Sequence, residues 1–367
     1  MSPPCVAVDV GPLAGRRTGI GVAVGAIVDV LARRDDVVVL PYLTSFRARP
    51  EPGTRRLPLP AAIAHRLWGA TGRPRVDRWL RGADLVHGTN YVVPPSRLPR
   101  LVSVYDCWFL DHPGEAHPDV RRAGAVLLRA IHSGATVHAC SAATAAAVRR
   151  HAPAAHVVHI PLAPLPVPDP CASPPIAELD GRPYVLAVGT LERRKNLPTL
   201  VRAFGRLAAD HPDLLLVLAG GDGDDRAAVD AAVLGLGPEG SDRVLLAGWV
   251  DDDVRSWLLR HATVLAYPSL DEGFGFPLLD AMQVSLPIVA TAVGSIPEVA
   301  GGAALLVDRP DDVAALAGAL DRALTDAALR ERLVSAGIQQ LTTMSWERTA
   351  TELVEQYTNL VSPGGAP

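Results

Sequence analysis

The chain has one lysine, Lys195, among its 35 Lys and Arg residues. It stands in the run Glu-Arg-Arg-Lys-Asn at 192–196, shortly after Gly189, which follows the apolar segment 184–188. Guanidinium groups and lysine ammonium groups both bind phosphate oxygens, lysine as a compact point charge. Three consecutive cations after a strand therefore indicate a pyrophosphate site. A solvated basic turn is the alternative interpretation.

A second candidate lies at 267–282, where Glu272 precedes Gly273, Phe274, Gly275 and Phe276. Pro277 suits the first turn of a helix, so backbone amides of this turn can face a ligand. Asp280 follows Glu272 by eight residues. Two carboxylates near one site suit the vicinal hydroxyls of a sugar, whereas the alternative is an ordinary loop charge and a helix-surface charge.

A third candidate is the glycine-containing junction at 10–22. Gly19 and Gly21 allow backbone amides to approach an anion at the start of a helix. The spacing is not that of a dinucleotide-binding GxGxxG motif, and an ordinary tight turn is the alternative.

These candidates fall on a chain in which short apolar runs alternate with longer helical segments. The runs are continuously apolar, which is typical of parallel strands covered by helices on both faces. The pattern predicts a doubly wound α/β structure. The predicted strands are 5–10, 37–42, 84–87, 101–105, 136–140, 156–160, 184–188, 214–219, 244–247, 263–267, 288–290 and 304–307, and predicted helices include 20–33, 120–132 and 197–209.

Seven prolines occupy residues 161–175. Proline removes backbone donors and favours extended neighbours, so neither a helix nor a central strand continues there. The sequence therefore predicts a semi-rigid linker between two α/β domains that face each other across a cleft.

The amino-acid composition argues against a zinc-binding, disulfide-bonded, membrane-spanning or secreted protein. The four cysteines are scattered, which favours reduced thiols over a zinc site or disulfides, and no apolar run suggests a membrane-spanning helix or a secretory leader. We therefore expect a cytoplasmic protein.

Residues 1–160 carry a net charge of +9 and the remainder −13, and 47–100 contain 11 arginines. The basic half predicts an anionic partner: the inner face of a membrane, which it would contact peripherally, or a lipid-phosphate acceptor. A nucleic acid is disfavoured because no nucleic-acid-binding motif is present, and a solvated surface is the alternative.

The motifs together resemble the retaining GT-B glycosyltransferases of family 4. The similarity lies in Gly-Thr-Leu-Glu-x-Arg-Lys-Asn from 189, Ala-Gly-Gly-Asp-Gly from 219, Gly-Trp-Val-Asp from 248 and Pro-Ser-Leu-x-Glu-Gly-Phe-Gly-x-Pro from 268. It is dense over 184–360 and looser in the N-terminal half. The resemblance implies an acceptor-binding Rossmann-like domain at 1–165, a linker at 166–180, a nucleotide-sugar-binding Rossmann-like domain at 181–344, and a helix at 345–367 that returns to the first domain.

The resemblance also implies roles for the candidate residues. Arg194 and Lys195 would bind the donor diphosphate with the amides of Gly19 and Gly21, and Gly189 would lie beside them. Glu272 and the amides of 273–276 would contact the sugar, and Asp280, which replaces the family's second glutamate, would contact the ribose.

Two further departures concern the reaction. Thr190 stands where some relatives carry arginine, and Tyr105-Asp106 replaces a common His-Asp pair. The expected catalytic residues are Glu272, Lys195, Arg194 and Asp106. His87 and Tyr105 are expected on the acceptor side.

The resulting expectation is a retaining transferase that moves a hexose, with mannose as a candidate, from a GDP- or UDP-sugar to a glycan, a lipid-linked or a small-molecule acceptor. The mechanism would be same-face attack without a metal or other cofactor. The alternatives are another GT-B nucleotide-sugar enzyme, either an epimerase or a phosphorolytic enzyme, and a non-catalytic nucleotide-sugar-binding protein.

Overall fold

The computed structural model describes residues 2–14, 19–46, 48–49 and 51–362. Arg47 of the basic segment and the tail 363–367 therefore lie outside the described residues. The chain divides into two compact units, an N-terminal unit of Met1–Ala163 with Met344–Pro367 and a C-terminal unit of Pro164–Thr343.

The N-terminal unit is built on a seven-stranded parallel sheet with the order β3-β2-β1-β4-β5-β6-β7. β1, β4, β5 and β6 are almost completely buried because helices cover both faces, which explains their continuous apolar sequences. The strands are β1 Cys5–Asp9, β2 Val38–Leu43, β3 Arg55–Arg56, β4 Leu85–Gly88, β5 Arg100–Val104, β6 Thr136–Ala139 and β7 Val157–His159; the helices are α1 Gly19–Ala32, α2 Ala61–Thr71, α3 Trp108–Asp111, α4 Pro118–His132 and α5 Ala142–His151, with a 3-10 helix at Gly11–Leu13.

The C-terminal unit repeats the design with a six-stranded parallel sheet ordered β10-β9-β8-β11-β12-β13. β9 and β12 are fully buried. The strands are β8 Tyr184–Val188, β9 Leu215–Ala219, β10 Val244–Gly248, β11 Val264–Tyr267, β12 Ile288–Thr291 and β13 Ala304–Val307; the helices are α6 Leu197–Leu207, α7 Arg226–Leu234, α8 Gly237–Ser241, α9 Asp252–His261, α10 Phe276–Gln283, α11 Ile296–Ala300, α12 Val313–Thr325 and α13 Ala327–Leu341, with 3-10 helices at Ala177–Leu179 and Arg193–Lys195.

The final helix, α14 at Trp346–Val361, belongs to the N-terminal unit and packs on α1 and β4. Ser345 caps it by accepting a hydrogen bond from the Arg348 amide. Its buried face includes Leu353 and Tyr357, both without solvent exposure. The N-terminal unit is therefore assembled from both ends of the sequence.

The proline-rich segment is hydrogen-bonded to the C-terminal unit along part of its length. The side chain of Gln283 donates to the Leu165 carbonyl at 2.9 Å, and Ser256 Oγ donates to the Pro168 carbonyl at 2.6 Å. The Cys171 amide donates to the Asp253 carbonyl at 3.2 Å. These contacts fasten 165–171 to α9 and α10.

Each sheet has one place where the strand order reverses direction along the chain. In the N-terminal unit it lies between β1 and β4, and in the C-terminal unit between β8 and β11. In open α/β sheets ligands bind beyond the carboxyl ends of the strands at such a point. A ligand-binding site is therefore expected at the loops that follow β1, β4, β8 and β11.

Two sequence expectations concern the chain as a whole. The four cysteines are free thiols, with Cys107 and Cys140 buried. No helix in the described part of the chain combines the length and the apolar character needed to cross a bilayer.

Candidate functional site

The loop after β8 and the loop after β11 are joined at the reversal point of the C-terminal sheet. The Leu270 amide donates to the Arg194 carbonyl at 2.8 Å. Asn196, in the left-handed region with φ of 53°, ends the 3-10 helix, and its side-chain amide donates to the carbonyls of Pro268 and Pro310 at 3.0 and 2.8 Å. These bonds hold the basic turn against the loop that carries Glu272.

Glu272 forms the centre of a buried charge cluster. Its Oε2 accepts from Arg194 Nη1 at 2.5 Å, and its Oε1 accepts from Lys195 Nζ at 2.7 Å. Ser269 Oγ donates to the same Oε1 at 2.7 Å, and Lys195 Nζ also lies 3.1 Å from the Tyr267 hydroxyl. The structure thus brings together three of the predicted residues: Arg194, Lys195 and Glu272.

The electrostatics of the cluster favour a charged Glu272. Burial raises the pKa of its carboxyl, but the charges of Lys195 and Arg194 and the hydrogen bonds from Lys195 and Ser269 outweigh burial and lower the pKa to about 2. Glu272 faces two cations, and the carboxylate of Glu192 lies 3.8 Å from Arg194 on its other side. Glu272 is 5% exposed, whereas the side chains of Arg194 and Lys195 are 17% and 13% exposed.

The cluster keeps hydrogen-bonding capacity for a ligand. The Glu272 carboxylate accepts from Arg194, Lys195 and Ser269, and the Tyr267 hydroxyl also interacts with it. Arg194 has five N–H donors and Lys195 has three. The arrangement can therefore hold a phosphate oxygen on the cations and a hydroxyl on the carboxylate at the same time.

Close packing at Gly294 supports the position of Glu272. The Ser295 amide donates to the Glu272 carbonyl at 2.9 Å. A Cβ added at Gly294 would lie 2.4 Å from that carbonyl oxygen, and the φ of Gly294 is +51°. Only glycine fits this position without displacing the Glu272 backbone.

The predicted glycine-aromatic turn leads directly into α10. Gly275 precedes the first residue of the helix with a φ of 92°, a conformation that favours glycine. The rings of Phe274 and Phe276 meet edge to face at 5.2 Å, and Phe274 is buried. Gly273 is buried beside Glu272. The Gly189 amide donates to the Ala219 carbonyl at 2.9 Å, so this amide is used in hydrogen bonding at the carboxyl ends of β8 and β9.

Asp280, on α10, is paired with a residue that the sequence did not single out. Arg255 of α9 donates through Nη1 to Asp280 Oδ2. Burial raises the pKa of Asp280 to about 6, although the charge of Arg255 and its hydrogen bond oppose this effect. Oδ1 is the carboxylate oxygen outside this pair.

The remaining predicted residues lie in the N-terminal unit. Gly19 is the first residue of α1 and is exposed, and Gly21 is buried two residues further along. Asp106 follows β5, and its Oδ1 accepts from the Trp108 amide at 3.3 Å. Asp106 therefore stands at the carboxyl edge of this sheet.

His87 and Tyr105 are interior residues of the N-terminal unit. His87 is fully buried, and its Nδ1 and Nε2 pair with the Tyr357 hydroxyl and Ser103 Oγ, each at 2.8 Å. Tyr105 is 5% exposed and donates its hydroxyl to the Thr89 carbonyl at 2.8 Å. Because both side chains are hydrogen-bonded within the interior of the unit, they are not placed to contact an acceptor.

Several supporting residues have weak sequence signals. Ser269, Tyr267 and Asn196 all lie inside the recognised motifs, and their side chains position the charges. Gly294 and Arg255 lie outside those motifs, and only the fold brings them to Glu272 and Asp280. Within the described ranges, no group of three or more His, Cys, Asp or Glu side chains is arranged to hold a metal ion.

The sequence profile of the family described as "Glycosyl transferases group 1" matches residues 173–340. The O-antigen chain mannosyltransferase B of Escherichia coli is 35% identical over 178 residues, which cover 47% of this chain and 45% of that protein. The chain thus spans less than half the length of this curated relative.

Two solved structures are similar over nearly the whole chain. Sucrose-phosphate synthase from Thermosynechococcus elongatus has a TM-score of 0.73 at 23% identity, and the match covers 97% of this chain and 99% of that one. HepE of Anabaena, in complex with UDP and glucose, has a TM-score of 0.72 at 16% identity with the same coverage.

These similarities agree with the two parallel sheets and with the motifs around Glu272. The chain has the GT-B fold, and its residues 173–340 match the sequence profile of the group 1 glycosyl transferases.

Proposed function

We propose that the protein is a retaining glycosyltransferase that moves a hexose from a nucleotide-diphosphate sugar to an acceptor hydroxyl. The observation that carries the proposal is the cluster of Arg194, Lys195 and Glu272 at the reversal point of the C-terminal sheet. It combines partly exposed cations, which suit a diphosphate, with a carboxylate beside them that suits a sugar hydroxyl.

The proposed roles of Arg194 and Lys195 follow from where negative charge develops during the transfer reaction. In a same-face reaction the acceptor oxygen bonds to the anomeric carbon as the bond to the diphosphate oxygen breaks. The acceptor proton passes to the departing phosphate. Negative charge grows on the diphosphate, and Arg194 and Lys195 stabilise it by preorganised charge-assisted hydrogen bonds. Because these cations supply the charge, the proposal includes no metal ion.

The other candidates have supporting roles. Glu272 fixes both cations and receives a sugar hydroxyl, and the amides of Gly273, Gly275 and Phe276 lie at the start of α10, where anions and hydroxyl oxygens are favoured. Asp280 receives a ribose hydroxyl on Oδ1. Asp106 orients the acceptor hydroxyl, and Gly19 and Gly21 offer amides to an anionic group at the start of α1.

The donor and acceptor are proposed from the relatives. The Escherichia coli relative is a mannosyltransferase, which supports mannose as the transferred sugar and a glycan as the acceptor. The HepE structure contains UDP and glucose, which supports a nucleotide-sugar donor. We take GDP- and UDP-sugars as the donors to test, with glycan, lipid-linked and small-molecule acceptors.

We also propose that the N-terminal unit contacts the anionic inner face of the membrane from the cytoplasm. The surface of α2 exposes Ile63 and Leu67, which are 51% and 38% exposed. Arg66 and Arg122 line a surface depression with them, and Arg73, Arg75 and Arg97 line a second one that shares Leu67. Exposed apolar side chains among arginines suit a bilayer of anionic lipids.

The test is turnover by the pure chain. GDP-mannose, UDP-glucose and ADP-glucose are each incubated with methyl α-mannoside or a lipid-linked sugar. The release of nucleoside diphosphate is measured, and NMR determines the anomeric configuration of the product. We expect an α-linked product from one donor and strongly reduced turnover in Lys195→Met. An inverted product overturns the retaining mechanism. Epimerised or phosphorolysed donor without transfer favours another GT-B enzyme, and tight binding without turnover favours a binding protein.

A further inference from the structure

The ammonium group of Lys195 lies in a slot whose first wall is the backbone of Gly189. A Cβ added at Gly189 would lie 3.2 Å from Lys195 Cε and 3.7 Å from Nζ, so the stem of the lysine passes close over this residue. The φ of Gly189 is +145°, a conformation that favours glycine. A side chain at this position would press on the stem of Lys195, and glycine leaves the room that the stem occupies.

Tyr267, the last residue of β11, forms a second wall of this ammonium slot. Lys195 Nζ lies 4.8 Å from the centroid of the Tyr267 ring and 3.1 Å from its hydroxyl oxygen. Tyr267 is 2% exposed, and a Cβ added at Gly275 would lie 3.7 Å from Cε1 of the ring. Packing against the turn before α10 therefore holds the ring in place where it contacts Lys195.

The hydroxyl of Tyr267 links the lysine to Glu272. Burial raises the pKa of Tyr267 well above its ordinary value, and the negative charge of Glu272 raises it further, so the side chain stays a neutral phenol. A neutral phenol can accept a hydrogen bond from an ammonium group and donate its own proton to a carboxylate. Tyr267 interacts with Lys195 and with Glu272, and it therefore has a partner for both roles.

The geometry of the slot suits an ammonium group better than a guanidinium group. Three donors diverge from Nζ, and two of them meet Glu272 Oε1 at 2.7 Å and the Tyr267 hydroxyl at 3.1 Å. These are the acceptors of Nζ among the residues that the structure describes, so one donor is left for a ligand. A guanidinium group is larger, and its donors point outward in one plane. It cannot make three diverging bonds from the position of Nζ.

The composition of the chain agrees with this geometry. Arginine occupies every Lys or Arg position in the sequence except 195. The one lysine therefore stands where the structure favours a compact ammonium ion.

We propose that Tyr267 and Gly189 are positioning residues that shape this slot for an ammonium group, so that arginine cannot replace Lys195 at the donor diphosphate. The proposal rests on the proposed function, since that function gives Lys195 a phosphate to bind. The remaining N–H of Nζ is the one directed to a phosphate oxygen.

The first measurement needs no donor. Because Lys195 is the only lysine, 15N-labelled lysine gives one side-chain ammonium resonance in the untagged full chain, and NMR follows its proton exchange with water. We expect Tyr267→Phe to accelerate exchange by about 3- to 10-fold, the effect of one hydrogen bond. An unchanged exchange rate overturns the proposal.

Tyr184→Phe is the matched control for this measurement. Tyr184 is a buried tyrosine on β8, the strand beside β11, and its hydroxyl donates to the Leu258 carbonyl at 2.7 Å. Its replacement should lower the unfolding temperature and leave the exchange of the Lys195 ammonium protons unchanged. Equal acceleration in Tyr184→Phe would assign the effect to general loosening of the unit and overturn the proposal.

The second measurement titrates UDP and GDP by calorimetry. We expect Lys195→Arg to weaken nucleoside diphosphate binding by about 10- to 100-fold, close to the loss in Lys195→Met, although the charge is kept. Tyr267→Phe should weaken binding by about 3- to 10-fold and have no further effect when combined with Lys195→Met, because it acts through that lysine. Parent-like affinity in Lys195→Arg, or an equal effect of Tyr267→Phe in both backgrounds, overturns the proposal.

The two measurements separate this proposal from the proposed function. If the parent chain binds neither UDP nor GDP while Tyr267→Phe accelerates exchange, the ammonium slot is supported and the phosphate role of Lys195 is overturned.

Discussion

Lys195 Nζ lies 2.7 Å from Glu272 Oε1, so the sole lysine of the sequence is held by a carboxylate that follows a different strand. The two residues are 77 positions apart and meet because β8 and β11 are neighbours in the sheet. This contact fixes the direction of the ammonium group before a ligand is present. Preorganised charge of this kind is what a leaving phosphate requires.

Replacement of Lys195 by methionine removes the charge and keeps a side chain of similar length. We expect the affinity for a nucleoside diphosphate to fall by about 10- to 100-fold, because charge-assisted hydrogen bonds to phosphate are lost. Calorimetric titration with GDP and UDP measures the change. Arg193→Ala is the matched control: Arg193 belongs to the same 3-10 helix but is exposed, outside the Glu272 cluster. An equal loss in both variants would mean that general basicity of the turn is responsible.

Glu272→Gln tests the coupling between the carboxylate and the cations. The single variant removes the only carboxylate that both cations share and leaves Arg194 with the longer contact to Glu192 at 3.8 Å, and we expect it to destabilise the C-terminal unit by about 3 kcal/mol. In the double variant with Lys195→Met one of those cations is absent, so the loss should be smaller than the sum of the single losses by about 1–3 kcal/mol. Urea denaturation of the four proteins gives this interaction energy. Additive losses would contradict direct pairing.

Asp280 is proposed to receive a ribose hydroxyl. Asp280→Asn should weaken UDP or GDP binding several-fold, because a carboxylate acceptor is replaced by a neutral amide oxygen. The same substitution should leave the affinity for the 2′,3′-dideoxy nucleotide unchanged, since that ligand lacks the hydroxyls. Equal weakening for both ligands would place the effect in the Arg255 pair instead of the ribose contact.

The buried histidines predict a loss of stability in acid. Burial lowers the pKa of His87 to about 3 and that of His138 to about 4, against about 6.5 in an unfolded chain. Below pH 6.5 the unfolded chain binds protons that the folded chain does not, so stability falls as the pH decreases toward 4. The slope is about 1.4 kcal/mol per pH unit for each histidine.

Unfolding temperatures measured between pH 7.5 and 4.5 check this prediction. His138→Gln should reduce the acid sensitivity, because one of the two shifted groups is removed. His117→Gln is the control: His117 is exposed, and its side chain caps α4. An unchanged pH profile in His138→Gln would show that other groups carry the acid dependence.

The exposed apolar pair on α2 predicts binding to anionic vesicles. The double substitution Ile63→Ser and Leu67→Ser should reduce flotation with phosphatidylglycerol vesicles, and salt should weaken binding by the parent chain. Ile338→Ser is the control because Ile338 is 54% exposed on α13 of the C-terminal unit. Binding that is insensitive to the α2 changes would assign membrane contact to another surface.

The strands were predictable to within a residue or two because their apolar runs are continuous; Tyr184–Val188 and Ala304–Val307 agree at both ends. β3 was missed, since it consists of two exposed arginines that pair with β2 and form the edge of the sheet. The Arg-Lys-Asn turn and the Glu272 loop were recognisable as motifs. Their direct ion pairing was not, because it depends on the adjacency of β8 and β11.

The sequence also could not separate interior polar residues from ligand contacts. His87 and Asn90 follow one another closely on the same strand and loop, and both residue types suit a binding site. Only the structure assigns His87 to a hydrogen-bonded interior and shows Asn90 Oδ1 shielded from solvent with no hydrogen-bond partner among the described residues. Whether a buried side chain has hydrogen-bond partners depends on how the chain packs, and the spacing of residues in the sequence does not show it.

Helix α14 has a consequence for how the protein is made. Because Tyr357 and Leu353 complete the buried face against α1 and β4, the N-terminal unit lacks part of its core until α14 is synthesised. The C-terminal unit is continuous in sequence and can fold while the ribosome is still adding the end of the chain. The first unit to be synthesised is therefore the last to be completed, and a fragment ending at residue 163 would expose the surface that α14 covers.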